Sequence, residues 1–136
     1  MRKALAATLT VATFALAACG GGGDAIGPST IAGTYTLQTV NGNALPAVLL
    51  EDAGYKLEVL SGSYTLNGDN SYSATASFRE TENAVVTPST ESESGTYVVR
   101  GSSVTFTDSD GFQTGGTISG TNLTLAAAGL TIRYSR

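Results

Sequence analysis

Residue types able to do covalent or acid–base chemistry are scarce in this chain, and their scarcity narrows what it does. None of the 136 residues is His, which removes the commonest general base and the commonest zinc ligand. Cys19 is the single thiol, so no disulfide forms within the chain and stability rests on packing. Apart from Lys3, Lys56 is the only Lys, a poor supply of amines for activating the many serines. Asp108-Ser109-Asp110-Gly111 opens like a calcium loop, with carboxylates at alternate positions and a Gly for the bend. It lacks the distal Glu of such a loop and reads as a hairpin turn. Glu91-Ser92-Glu93 offers further carboxylates, either for a surface cation or as solvated acids on a loop. No spacing singles out two carboxylates for joint acid–base work. The expectation is a protein that is not an enzyme and holds no metal and no cofactor.

Aromatic rings are the remaining candidates. Tyr35, Tyr72, Phe78, Tyr97, Phe106 and Tyr134, together with Leu37, all fall on the apolar phase of alternating stretches. Gathered inside a fold, they would form a wall for a small apolar or amphipathic ligand, with hydroxyls to orient its polar group. The simpler reading, and the one the small number of aromatic residues favours, is that the rings just fill the interior.

Strands must position them. From Ile31 the pattern has period two, with Tyr35 and Leu37 on one face and Thr34, Thr36 and Gln38 on the other, and Asn41-Gly42 supplies a turn. Residues 43–54 fit a loop, a short helix or an irregular strand. Tyr55, Leu57 and Val59 alternate with polar residues, and Tyr64 and Leu66 do so in the opposite phase. The phase flip near Ser61-Gly62 implies a β-bulge in one bent strand or a tight break between two. After the Asn67-Gly68-Asp69-Asn70 turn, Tyr72, Ala74, Ala76 and Phe78 give the clearest alternation in the chain. Residues 80–94 are polar, carry Pro88 and four of the eleven acidic residues, and read mostly as an exposed loop, with Ala84-Val85-Val86 as a short edge strand within it. Further strands follow around Tyr97, Phe106, Ile118, Leu123 and Tyr134. About eight short strands joined by small polar turns predict an all-β fold: an antiparallel up-and-down β-barrel, or alternatively a β-sandwich.

Upstream, Arg2 and Lys3 precede an uncharged run from Ala4 to Ala18 that closes on small residues, the layout of an export signal. The run is shorter than the roughly 20 apolar residues that span a bilayer. Its ending, Leu16-Ala17-Ala18-Cys19, resembles the lipoprotein box of bacteria. That resemblance implies cleavage before Cys19 and acylation of Cys19, whose two or three chains anchor at about 0.8 kcal/mol per buried methylene. An ordinary signal peptide with a chance Cys is the alternative. Gly20 rather than Asp follows the Cys, which by the sorting pattern of enteric bacteria implies the outer membrane, or the cell surface where there is one membrane. The divisions are then residues 1–18 as signal peptide, 19–30 as a Gly-rich tether and 31–136 as the folded domain.

Loss of residues 1–18 removes two of the seven basic residues and none of the eleven acidic ones, leaving a formal charge of −6. Such a balance disfavours nucleic acid, so the partners expected are the membrane through acylated Cys19, a small apolar ligand, or another envelope protein meeting the outer surface near residues 43–54 or 80–94.

Several short blocks sharpen the fold. Ile31-Ala-Gly-Thr-Tyr-Thr-Leu, Val40-Asn-Gly, Leu45-Pro46, Ser94-Gly-Thr-Tyr, Val104-Thr-Phe and the closing pair Leu-Thr-Leu and Leu-Thr-Ile-Arg-Tyr resemble the lipocalin-like small domains of many bacterial lipoproteins. Tyr35 stands where the lipocalins proper usually place a Trp. The resemblance implies a barrel with room for one ligand, or a filled barrel that works through its outer surface as a structural or inhibitory envelope protein.

Overall fold

Period-two alternation becomes ten antiparallel strands: β1 (Gly33–Val40), β2 (Asn43–Ala44), β3 (Ala47–Asp52), β4 (Tyr55–Leu66), β5 (Ser71–Glu82), β6 (Val85–Arg100), β7 (Ser103–Asp108), β8 (Gln113–Ser119), β9 (Asn122–Ala127) and β10 (Leu130–Ser135). The computed structural model describes residues 27–136. The readings of residues 1–18 as an export signal, of Cys19 as the lipid-bearing residue and of the Gly-rich run to residue 26 lie outside the described residues. Pro28–Ile31, at the end of the expected tether, forms a single helical turn, α1.

Strands β4 to β10 pair in chain order, and β1 pairs with both β10 and β4. Eight strands therefore close into a barrel, and β2 and β3 are additions to it. The barrel, and not the sandwich, is the architecture. Residues 43–54, readable from sequence in three ways, supply β2, β3 and the turn into β4. The phase flip in β4 is a bulge in one strand, with the register shifting between Val59 and Ser61.

One expectation is overturned. Residues 80–94 are not an exposed loop but the far end of a long hairpin, whose ladder runs unbroken from Ser71↔Thr96 to Glu82↔Val85. The turn lies at Asn83-Ala84, both with positive φ (48° and 68°), the conformation that matches the strands' right-handed twist. Polarity there reports exposure, not lack of structure. β7 pairs with β6 only from Gly95 onward, with Ser109 N donating to Ser94 O just before it. The backbone of residues 85–93 therefore ladders with β5 alone, and Pro88 sits on a free edge where no second ladder needs the N–H it lacks.

Inside, the alternating rows meet. Tyr35, Tyr97, Phe106, Ile31, Leu66, Ile118, Leu123 and Leu125 are fully buried. One end is plugged by α1: Tyr35 Oη donates to Ile31 O (2.8 Å), while Arg136 donates to Ala32 O (2.6 Å) and Thr30 O (2.9 Å) with its guanidinium 5.3 Å from the Tyr35 ring centre. Arginine over an aromatic face adds about 0.5–1 kcal/mol at such a site.

Gly95 and Gly115 test the packing from opposite sides. A Cβ at Gly95 lands on Thr107 O and 2.8 Å from Asp108 Cα, whereas one at Gly115 meets nothing within 4 Å. Gly95→Ala is expected to cost about 1–3 kcal/mol in denaturant unfolding, and Gly115→Ala to be neutral or slightly stabilising. Equal midpoints for the two variants would contradict the β6–β7 approach.

Candidate functional site

Tyr64 is the hub of the interior rings. Its ring centre lies 5.7 Å from that of Tyr72, nearly parallel, and 5.1 and 5.2 Å from those of Phe106 and Tyr134, edge to face. Such pairs contribute about 0.5–1.5 kcal/mol each beyond area burial. Strand phase explains the gathering: Tyr64 on β4 is directly opposite Ala74 on β5, and Tyr134 on β10 is opposite Leu37 on β1. Small residues at 74 and 76 leave the space that the rings surround.

That space is a cavity of about 230 Å³ lined by Tyr64, Ala74, Ala76, Phe78, Tyr134 and, from β6, Glu91 and Glu93. Its polar wall comes from the register. Glu93 is opposite Ala74 and Glu91 opposite Ala76, so both carboxylates share the inward face with the rings. Glu93 Oε1 accepts hydrogen bonds from Tyr64 Oη (2.9 Å) and Tyr72 Oη (3.2 Å).

The six rings singled out from sequence divide by position. Phe78 and Tyr134 line the cavity, and Tyr72 reaches its rim through Glu93. Tyr35, Tyr97 and Phe106 pack the core: the Tyr97 hydroxyl donates to Asn67 O, the Tyr35 hydroxyl donates to Ile31 O, and Phe106 lies edge to face with Tyr72 and tilted against Tyr97. Leu37 is buried beside them. Tyr64, Glu91 and Glu93 complete the wall beyond those six rings, and Glu91 and Glu93 lie in phase with Gly95 and Tyr97. Extending β6 backward from Tyr97 by period two places both acids inward. Asp108 serves its own turn, its Oδ1 accepting from the N–H groups of Asp110 and Phe112 (both 2.9 Å).

On the opposite, outward face of the same hairpin, Glu58 bridges Arg79 (2.8 Å) and Lys56 (3.2 Å). The hydrogen bond from Arg79 is the main cause holding the Glu58 carboxyl below its ordinary range, with Lys56 adding to it against partial burial.

The chemistry of the cavity is that of an apolar body with an anionic rim. Burial first, then the Glu93 charge, raises the tyrosines that face it: Tyr64 and Tyr72 strongly, and Tyr134 from 10.0 to about 12. A tyrosine whose proton is held more tightly in the folded than in the unfolded chain contributes its full stability below pH 10.0 and loses it as pH rises toward about 12. Tyrosinate absorbance should show this as a late titration that coincides with loss of β-structure. Glu93→Gln should lower the Tyr134 midpoint while leaving it above 10.0, since burial is the larger cause; an unmoved midpoint would separate Glu93 from the cavity.

No curated protein and no solved structure matches the chain. The family model described as a lipocalin-like domain matches residues 31–126, from α1 through β9 and across every strand that lines the cavity except β10. With a closed eight-stranded antiparallel barrel and a match over most of its length, the chain belongs to the lipocalin-like domain family.

Proposed function

We propose that the protein is an exported lipoprotein, anchored through acylated Cys19, whose barrel binds one small amphipathic molecule at the mouth opposite α1. The observation that carries the binding reading is the cavity between Tyr64, Phe78 and Tyr134, whose Ala74 and Ala76 wall leaves room that larger side chains would fill. The role is binding rather than catalysis. Glu93 engages two tyrosine hydroxyls, and the chain has no His to activate the hydroxyls of Thr75 and Ser92 at the cavity wall. Anchoring rests on the basic start, the uncharged run and the Leu16-Ala17-Ala18-Cys19 ending. In a cell with two membranes, Gly20 after the Cys directs the protein to the outer one.

Native mass spectrometry of the domain from Asp24 to Arg136, purified from its own host, should show a stoichiometric extra mass that disappears on denaturation. Ala76→Leu, which places a larger side chain at the cavity wall, should lose that mass while keeping its β-rich circular dichroism. A bare mass for the parent domain, together with no small molecule that shifts its unfolding temperature, would leave the barrel as packing alone. Cys19→Ala should yield uncleaved or soluble protein, and its retention on membranes after a high-salt wash would remove the lipid anchor from the account.

A further inference from the structure

The mouth of the barrel is electrically one-sided. On the inward face of the β3–β6 ribbon, Asp52 is opposite Tyr55, Tyr55 is opposite Glu82, and Leu57 is opposite Glu80. Glu91 and Glu93 continue the same face along β6. The inward face therefore carries five carboxylates, and no Lys, Arg or His stands among the residues lining the cavity. The nearby cations, Lys56 and Arg79, are one strand position out of phase and spend their charge on Glu58 behind the sheet. Like charges side by side on one sheet face oppose folding. Two of them, Glu91 and Glu93, line a space walled by aromatic rings, and the other three stand farther out along the same face.

Those rings bear on what would neutralise the carboxylates. The cavity has Tyr64, Tyr134 and Phe78 on its walls and Glu91 and Glu93 at its rim. Aromatic faces attract organic ammonium groups through the ring quadrupole, and a carboxylate adds the opposite charge. A fatty acid or a phosphate would meet repulsion from both Glu91 and Glu93, with no cation in the lining to offset it. Resting on the cavity reading above, we propose that the ligand is a small organic cation, an amine or quaternary ammonium with a short apolar body. Its head lies against Glu91 and Glu93 and the rings of Tyr64 and Tyr134, and its body against Ala74, Ala76 and Phe78. The remaining acids, Asp52, Glu80 and Glu82, raise the local concentration of cations at the mouth.

The test separates charge from shape. Choline and its neutral carbon isostere, in which a tert-butyl group replaces the trimethylammonium, are titrated calorimetrically into the domain at low and high salt. Choline should bind about tenfold or more tightly than the isostere, and the gap should narrow as salt rises. Glu91→Gln/Glu93→Gln keeps an acceptor for the two tyrosine hydroxyls while removing both charges. It should bring choline down to the level of the isostere while the ligand-free domain keeps its β-rich circular dichroism and unfolds no earlier than the parent, since the change relieves like-charge repulsion. An isostere that binds as well as choline would overturn the cation while leaving the cavity as a ligand site. Failure of both probes at millimolar concentration would overturn the cation as well, and the host-purified mass would then decide the cavity independently.

Discussion

A single sharing of backbone hydrogen bonds governs this molecule: β1 closes the barrel against only the last part of β4. Gly33 to Thr36 pair with Leu66 to Ser63, and β3 takes the other end of β4, from Val59 to Tyr55. β1's remaining edge is taken by β10. Closure removes the free edges of the barrel wall that would otherwise invite pairing with another chain, and leaves free edges on the ribbon beyond it, along β3 and residues 85–93 of β6. Because β4, β5 and β6 are longer than the ladder that closes the barrel, their far ends stand beyond it as a ribbon with β3 at its side. The mouth exists because of that overhang.

An eight-stranded barrel is just wide enough for side chains to fill, and at the α1 end they do so. Ile31, Tyr35, Leu66, Tyr97 and Leu123 leave essentially no exposed surface there. Space opens where the ribbon departs from the closed wall and where alanines replace larger residues on β5. The single carboxylate of Glu93 ties the two regimes together, since it accepts from Tyr64 and Tyr72 in the packed rings and also lines the open cavity. A buried hydroxyl without a partner is costly, so Glu93 satisfies the upper rings while leaving its charge at the mouth.

Much of this was legible in the residues. The inward phases of Tyr35, Leu37, Tyr72, Phe78, Tyr97, Phe106 and Tyr134 follow from alternation, and all of these side chains are buried or partly buried. The phase reversal around Ser61 announced the bulge, and Asn41-Gly42 its turn, with φ of 51° and 81°. The hairpin end at residues 80–94 reads as a loop from sequence because its polarity resembles that of one. Strand formation there comes from the β5 ladder and a two-residue turn, and buried apolar surface contributes little, since every residue from 82 to 94 is exposed.

By itself, the sequence determined which residues share a face, where the chain turns, and that packing would be β on β, because period two and turn chemistry are local properties of backbone and side chain. Only the tertiary structure decided what each face looks at. That Glu91 and Glu93 confront Tyr64 and Tyr134, while Lys56 and Arg79 are held behind the sheet, depends on how β4, β5 and β6 align and on β1 closing against β4. Those alignments join residues up to about a hundred positions apart, as Thr36↔Ser135 does. Alternation alone assigns a side chain to one of two faces; the physical reason one face became an interior is closure, a non-local set of hydrogen bonds that no short window of residues contains.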